Sequence, residues 1–335
     1  MTDSAVGTRD GVDMLPAKDK LNICFAHPAY QMAERFTARG TGIAHFQVWK
    51  PDDYVQRVAE ADVVVASMMW KNDLVPKAKR LKFIQSISAG IDQYDRELLR
   101  ANGIRLANAA GVNANAVAEH GIAMLLAIKR HIHTGRDNQT RKFWRGMISD
   151  IPAREDELGG KTLLIIGLGR IGARLARLAK AFDLKVIATR RDPSRGGEGA
   201  DEIYGIDRLH ELLPAADIVA LTCPLTPETT NLIDAKALAL MKPTATLINV
   251  ARGRVVDEDA LIRALQEKQI AAAGLDVTRE EPLPASSPLW AMPNVLVTPH
   301  TAGETQRYED GVVDLLLENL ERLWRGETTL RNQIV

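Results

Sequence analysis

Three side chains of different chemistry stand just beyond short apolar runs. Arg252 follows ATLINVA (245–251), Glu281 lies beyond AAAGLDV (271–277), and His300 closes NVLVTPH (294–300). Open parallel sheets bind ligands at the carboxyl ends of their strands, so a cation, a carboxylate and an imidazole there make one candidate site. A guanidinium pairs through its planar fork with a carboxylate and polarises the adjacent carbonyl. An imidazole exchanges protons near neutral pH, and a glutamate bonded to it orients the ring and favours imidazolium. The set fits hydride chemistry at a carbon beside a carboxylate, provided that a hydride carrier binds nearby. Taken singly, each residue has a plainer reading: an Arg in a surface ion pair, a Glu on a Pro-rich loop, a buried and satisfied His.

The carrier has its own signature. GLGRIG places Gly167, Gly169 and Gly172 between an apolar strand, KTLLIIG, and an Ala/Leu/Arg helix that opens with Arg170 and Ile171. The first glycine allows a tight turn, the second lets backbone approach a pyrophosphate, and the third allows close helix–strand packing. Amides at the helix N-terminus then face the phosphates. A carboxylate about 20 residues further on would bind the 2′-hydroxyl of NAD, whereas an arginine accommodates the 2′-phosphate of NADP. The chain has Thr189-Arg190-Arg191-Asp192 there, with Arg195 in the same loop. NADP is therefore expected. The alternative is that both arginines are solvated and Asp192 serves NAD.

The elements that position these groups alternate short apolar runs with longer amphipathic stretches. LNICFA (21–26), DVVVAS (62–67), LKFIQSI (81–87) and IRLAN (104–108) predict one parallel sheet. KTLLIIG (161–167), KVIATR (185–190), DIVALTC (217–223) and the three runs named first predict a second. Between them lies one long apolar-rich helix over 115–136 and a polar, Pro-interrupted connection over 141–160; a final helix spans 305–325. The 335 residues carry 43 basic and 43 acidic side chains and 46% hydrophobic residues, ordinary for a globular protein of two domains. That balance excludes binding to nucleic acid or a membrane surface by bulk charge. No run spans a bilayer, and residues 1–20 read as a loose tail without the apolar core of a secretory signal. Two cysteines, Cys24 and Cys223, in no CxxC or His cluster, point to reduced thiols, a cytoplasmic setting and no metal.

With these motifs in order, the chain resembles the D-isomer-specific 2-hydroxyacid dehydrogenase family from about Leu21 to Trp324. The resemblance is carried by SAGID (88–92), NANAVAEH (113–120), ELGGKTLLIIGLGRIG (157–172), CPLTPETTNLI (223–233), NVARGRVVDEDAL (249–261), LDVTREEPLP (275–284) and SPLWAMPNVLVTPHTAG (287–303). It implies a catalytic trio of Arg252, Glu281 and His300. Asp276 would hold the nicotinamide carboxamide, with Cys223, Pro224, Val250, Ala251 and Gly303 as further cofactor contacts. NAD-using members usually end the second strand of the glycine-loop unit with Asp, where this chain has Arg190. The implied fold is α/β with two Rossmann-like domains, the active site in the cleft between them. A flavodoxin-like substrate domain would take 21–111 and 300–335, and a doubly wound NAD(P) domain 112–299. Ser88, Ala89 and Gly90, with the loop Ser67-Met68-Met69-Trp70, would receive the substrate carboxylate. Met68 and Met69 offer room for an apolar 2-substituent or simply pack; both stay open.

The implied activity is NADPH-preferring reduction of a 2-keto acid, of glyoxylate or hydroxypyruvate type, by a homodimer built on the long apolar helix. Trp144, beyond that helix, would reach a pocket, as a partner subunit's does in related glyoxylate reductases. The alternatives are an NAD-dependent member acting on phosphite or D-3-phosphoglycerate, or a nucleotide-sensing binding protein. Formate is disfavoured because formate enzymes carry Gln where Glu281 stands, and no Arg/Lys cluster or appended domain favours phosphoglycerate. His120 is expected in core or dimer packing, and His131 and His133 near a helix end. His27, His45 and His210 have no catalytic neighbours in sequence.

Overall fold

The computed structural model describes residues 15–197 and 199–335. It divides into two compact units. The first runs to Val112 and takes back Thr305–Val335. Its strands are β1 (Asn22–Ala26), β2 (Ala44–Val48), β3 (Val63–Ala66), β4 (Phe83–Ser86) and β5 (Arg105–Ala107). All pair in parallel, in the order β2-β1-β3-β4-β5, the flavodoxin-like arrangement. The runs are continuously apolar because helices cover both faces. Ile23, Phe25, Val63, Val65 and Phe83 pack with Met32, Phe36 and the final helix, Tyr308–Trp324. Cys24, Ala26, Val64, Ala66 and Ile84 pack on the other side with Tyr54, Leu74 and Tyr94.

One buried polar pin ties the returning helix to this sheet. Asn319 is fully buried; its side chain donates to Gln85 Oε1 (3.0 Å) and the Arg331 carbonyl (3.2 Å) and accepts from the Arg331 amide (2.8 Å). The loose tail expected over 1–20 needs correction at its end. Leu15 is buried in the first cluster, and the Trp324 indole N–H donates to the Pro16 carbonyl at 2.9 Å. Residues 1–14 lie outside the described residues.

The second unit, Asn113–Glu304, carries β6 (Thr162–Ile166), β7 (Lys185–Thr189), β8 (Glu202–Tyr204), β9 (Ile218–Leu221), β10 (Thr246–Asn249), β11 (Ala272–Leu275) and β12 (Val295–Val297). They form one parallel sheet ordered β12-β11-β10-β9-β6-β7-β8. This is the doubly wound order with a seventh strand added, and its direction reverses between β6 and β9. Alternate residues again divide two cores. Leu164, Ile166, Val219, Leu221 and Leu247 lie in one. Leu163, Ile165, Ile218, Ala220 and Ile248 lie in the other, under the helices Ala114–Lys129 and Arg170–Lys180.

One expectation changes here. The helix expected over 115–136 is two, Ala114–Lys129 and Ile132–Thr140, broken where His131 takes φ 51°. The apolar residues of the first half, Val117, Ala118, Ile122, Leu125 and Ile128 among them, face its own unit's core. The second half buries none. Among the described residues no helix is long and apolar enough to cross a membrane.

Replacing Asn319 by Leu strands the Gln85 carbonyl oxygen and the Arg331 amide. We expect a loss of about 2–3 kcal/mol, read from equilibrium urea unfolding. An unchanged midpoint would mean that water replaces those bonds.

Candidate active site

The carboxyl ends of β6, β7 and β9 build the glycine loop. Gly167 has φ +101°, and a Cβ on it would lie 2.7 Å from the Cys223 backbone. A Cβ on Gly172 would lie 2.5 Å from the Gly167 carbonyl oxygen. At Gly169 it would meet no atom within 4 Å, so the middle glycine faces open space. The flanking glycines are needed for packing, and the middle one leaves its backbone approachable. Thr222 closes the turn by donating its hydroxyl to the Gly167 carbonyl at 2.8 Å. The Cys223 thiol beneath is pushed up to about 11 by burial and stays protonated. Arg170 and Ile171 begin the helix that leaves the loop, and Pro224 follows Cys223.

The end of β7 lies against this loop, since the Thr189 carbonyl accepts from the Gly167 (3.1 Å) and Leu168 (2.8 Å) amides. Arg190 comes next, half-buried, its Nη1 donating to the Gly196 carbonyl at 3.2 Å. Arg191 and Arg195 are exposed. Asp192 Oδ1 accepts from the Ser194 hydroxyl (2.6 Å) and amide (3.2 Å), which caps the turn Pro193–Arg195. The Ser194 hydroxyl bond above all, with the Ser194 amide and the charges of Arg195 and Arg190, outweighs desolvation and holds its carboxyl below the usual range.

The trio comes from the loops after β10, β11 and β12. His300 Nδ1 and Glu281 Oε2 are 2.7 Å apart, and Glu281 Oε1 accepts from the Thr278 amide at 3.1 Å. Partial burial pushes the Glu281 carboxyl up. The His300 hydrogen bond and charge, the Thr278 amide and the Arg252 guanidinium together outweigh it and hold the group low. Arg252 is half-buried and donates through Nη1 to the Ala251 carbonyl at 2.8 Å. Val250 and Ala251 are buried beside it. The next residue must be glycine: a Cβ on Gly253 would lie 1.9 Å from the Thr278 carbonyl oxygen, so the β10 and β11 loops meet backbone to backbone.

Asp276, at the end of β11, is 2% exposed. Its Oδ1 accepts from the Thr298 hydroxyl (2.7 Å) and the Thr301 amide (3.0 Å), and its Oδ2 from the Ala302 amide (3.1 Å). Its backbone carbonyl accepts from the His300 amide at 2.8 Å. His300 itself sits at φ 55°, a left-handed conformation uncommon for a residue with a Cβ. Gly303, one residue past this wrap, packs so closely on Asn113 that a Cβ would lie 2.5 Å from its amide nitrogen.

In the first unit, Ser88, Ala89 and Gly90 follow β4. All three carbonyls accept hydrogen bonds: Ser88 from the Ala109 amide, Ala89 from Asn108 Nδ2 and Gly90 from the Ser88 hydroxyl. Among the described residues the Ala89 and Gly90 amides have no partner. The loop after β3 divides between the two readings left open for it. Met69 and Trp70 are buried in the core with Tyr54 and Tyr94, so neither presents its side chain to a ligand; Met68 is 70% exposed. Trp144 is 96% exposed. It lines a groove of about 590 Å³ with Ile132, Phe143 and Met147, whose walls include none of the trio.

Three residues of this machinery lie inside the motifs without a site role having been expected of them. Asn249, buried at the end of β10, bonds the Ala251 amide and the Arg252 carbonyl and so shapes the arginine loop. An Asn at a strand end that bonds its own backbone two residues on is a recognisable signal. Thr298 and His120 are the others: His120 Nε2 lies 2.9 Å from Thr298 Oγ1, a polar partnership where only packing is expected.

Comparison with known proteins agrees with this geometry. Residues 122–302 match the family model described as D-isomer specific 2-hydroxyacid dehydrogenase, NAD binding domain. A glyoxylate reductase of Pyrococcus furiosus is 37% identical over 293 residues, 84% of this chain and 86% of its own. A D-isomer specific 2-hydroxyacid dehydrogenase family protein of Aeromonas salmonicida superposes with TM-score 0.82 at 29% identity, covering 94% of this chain and 99% of that one. An acyclic imino acid reductase, solved with NADPH and D-Arg, gives 0.82 at 27% identity over 94% and 100%. The match of sequence and fold places the lineage: the chain is a member of the D-isomer-specific 2-hydroxyacid dehydrogenase family, oxidoreductases that use a nicotinamide cofactor.

Proposed function

We propose that this protein reduces a small 2-keto acid, of glyoxylate or hydroxypyruvate type, to the D-2-hydroxy acid and prefers NADPH. The observation that carries the reaction is the 2.7 Å contact between His300 Nδ1 and Glu281 Oε2, with Arg252 acting electrostatically on the same carboxylate. The bound nicotinamide supplies the hydride. Glu281 holds the ring by Nδ1, which leaves Nε2 to deliver the proton to the keto oxygen as negative charge develops there. Arg252 pairs with the substrate carboxylate and polarises the carbonyl beside it. In the first unit, Ala89 and Gly90 offer backbone amides suited to a carboxylate, and Met68 is the exposed side chain of its loop. Small 2-keto acids are favoured because the curated P. furiosus relative is a glyoxylate reductase.

Cofactor preference rests on Arg190. The open face of Gly169 admits a pyrophosphate, and Asp276 is the family's partner for the carboxamide. At the ribose position the strand ends in a guanidinium, while the acid two residues on, Asp192, is tied to Ser194 and flanked by arginines. A 2′-phosphate would meet cations there, and the Asp192 carboxylate is already engaged by Ser194. The structurally similar imino acid reductase binds NADPH. Two buried, unpaired cysteines fit a cytoplasmic enzyme.

A homodimer is proposed on the segment 130–155 rather than on the long helix. Ile132, Phe143, Trp144, Met147 and Ile151 are all exposed there, and the first four line one groove, the kind of apolar surface that a partner covers. Arg136 and Arg141 stand in the same segment as Asp137 and Asp150, charges of both signs that a second copy related by a two-fold axis would meet.

His300→Ala should lower kcat for glyoxylate with NADPH by about 10²- to 10⁴-fold while NADPH affinity changes little; a fully active variant would remove His300 from the chemistry. Arg190→Asp should shift the NADPH-to-NADH ratio of kcat/KM by about 10- to 100-fold toward NADH, the worth of one charge-assisted hydrogen bond. An unaltered ratio would place the 2′-phosphate on another residue. Trp144→Glu should halve the mass measured by light scattering, and a mass already that of one chain in the wild type would refute the dimer.

A further inference from the structure

His120 belongs to the helix Ala114–Lys129, 24% of its side chain exposed, with Nε2 2.9 Å from Thr298 Oγ1 and 3.5 Å from Asp276 Oδ1. The direction of these bonds follows from proton counting. A carboxylate only accepts, so the single hydroxyl hydrogen of Thr298 goes to Asp276 Oδ1 at 2.7 Å. The Thr298 oxygen must then accept, and His120 Nε2 must carry the hydrogen. The result is a one-way relay from His120 through Thr298 to Asp276. Its far end is the carboxylate around which Thr298–Ala302 wraps, and that wrap holds His300 at φ 55°.

We propose that His120 is a positioning residue of the active site: through Thr298 it fixes the Asp276 carboxylate, and through Asp276 the segment that aims His300 at Glu281. The proposal rests on the catalytic reading of His300 given above. Without the His120 hydrogen, Thr298 is free to turn its hydroxyl away, and Asp276 loses the one side-chain donor that ties the start of the His300 segment to it. Reaction geometry suffers while substrate binding, which rests on Arg252, does not.

The test compares His120→Leu, which removes the donor, with His120→Gln, whose amide N–H reaches the same place, using glyoxylate and NADPH. His120→Leu should lower kcat by about 10- to 100-fold, the effect of misplacing reacting groups by roughly 1 Å. KM for glyoxylate should stay within about 3-fold, and His120→Gln should recover most of the loss. Thr298→Val, nearly the same shape without the hydroxyl, breaks the relay at its middle and serves alone should His120→Leu not fold. In the double variant the losses should not multiply, because both changes cut one chain. A purely structural His120 would move the melting temperature but leave kcat, and Gln would do no better than Leu; either result overturns the relay. Wild-type enzyme inactive on every 2-keto acid tried would instead overturn the catalytic reading beneath it.

Discussion

The buried carboxylate of Asp276 is the interaction on which the site depends. A buried carboxylate is costly unless its oxygens are hydrogen-bonded, and here the Thr298 hydroxyl and the Thr301 and Ala302 amides meet that need. The same bonds fold the five residues 298–302 into a tight wrap whose middle residue is His300. A left-handed conformation costs a residue with a Cβ about 1–3 kcal/mol. Hydrogen bonds to a charged acceptor contribute about 1.5–3 kcal/mol each, and a further bond runs from the His300 amide to the Asp276 carbonyl. The wrap therefore outweighs the strain, and the imidazole is held where a relaxed backbone would not put it.

Around that centre, distances between loops are set by backbone rather than by side chains. Parallel strands deliver every βα loop to one edge of the sheet, but side chains of ordinary size would hold those loops apart. Gly253 lets the arginine loop lie directly on the loop that carries Glu281, and Gly167 lets the β9 loop lie on the glycine turn. These contacts bring Arg252 within electrostatic range of Glu281 and leave the open side of Gly169 facing away from both packed neighbours. Charge then differentiates the two ends of the strip. Arginines flank Asp192 at the β7 end, while at the β11 and β12 ends carboxylates face an imidazole.

Most of the fold was legible because a two-sided parallel sheet writes itself as apolar runs, and the runs at β1, β3 through β7 and β9 through β12 all became strands. The two strands that escaped notice, β2 and β8, are edge strands. AHFQV and EIY are half exposed, so they need no apolar run. The break at His131 escaped for a different reason: Arg130-His131-Ile132 contains no Gly or Pro, and a left-handed residue other than glycine leaves no mark in composition. Met68 and Met69 are chemically identical, and only the pleat and the turn after β3 decide that one is core and its neighbour is surface. The trio was legible because each member follows an apolar run. Asn249, Thr298 and His120 were not, since their partners are fixed by sheet register and helix placement.

The helix Ala114–Lys129 shows how these levels join. Val117, Gly121, Met124 and Ile128 recur at spacings of three and four and form the buried stripe that packs on the sheet. His120 stands three residues after Val117 and four before Met124, on the flank of that stripe. A side chain there is carried to the sheet by the packing of its neighbours yet keeps its tip at the stripe's edge, where a polar atom at a strand end comes within reach. A packing helix and a positioning helix are then one object. The hydrophobic face sets how closely the helix lies on β10 and β11, and that distance sets whether an imidazole nitrogen reaches Thr298. Core packing on one face of the sheet is in this way coupled to the orientation of the acid–base group at its end.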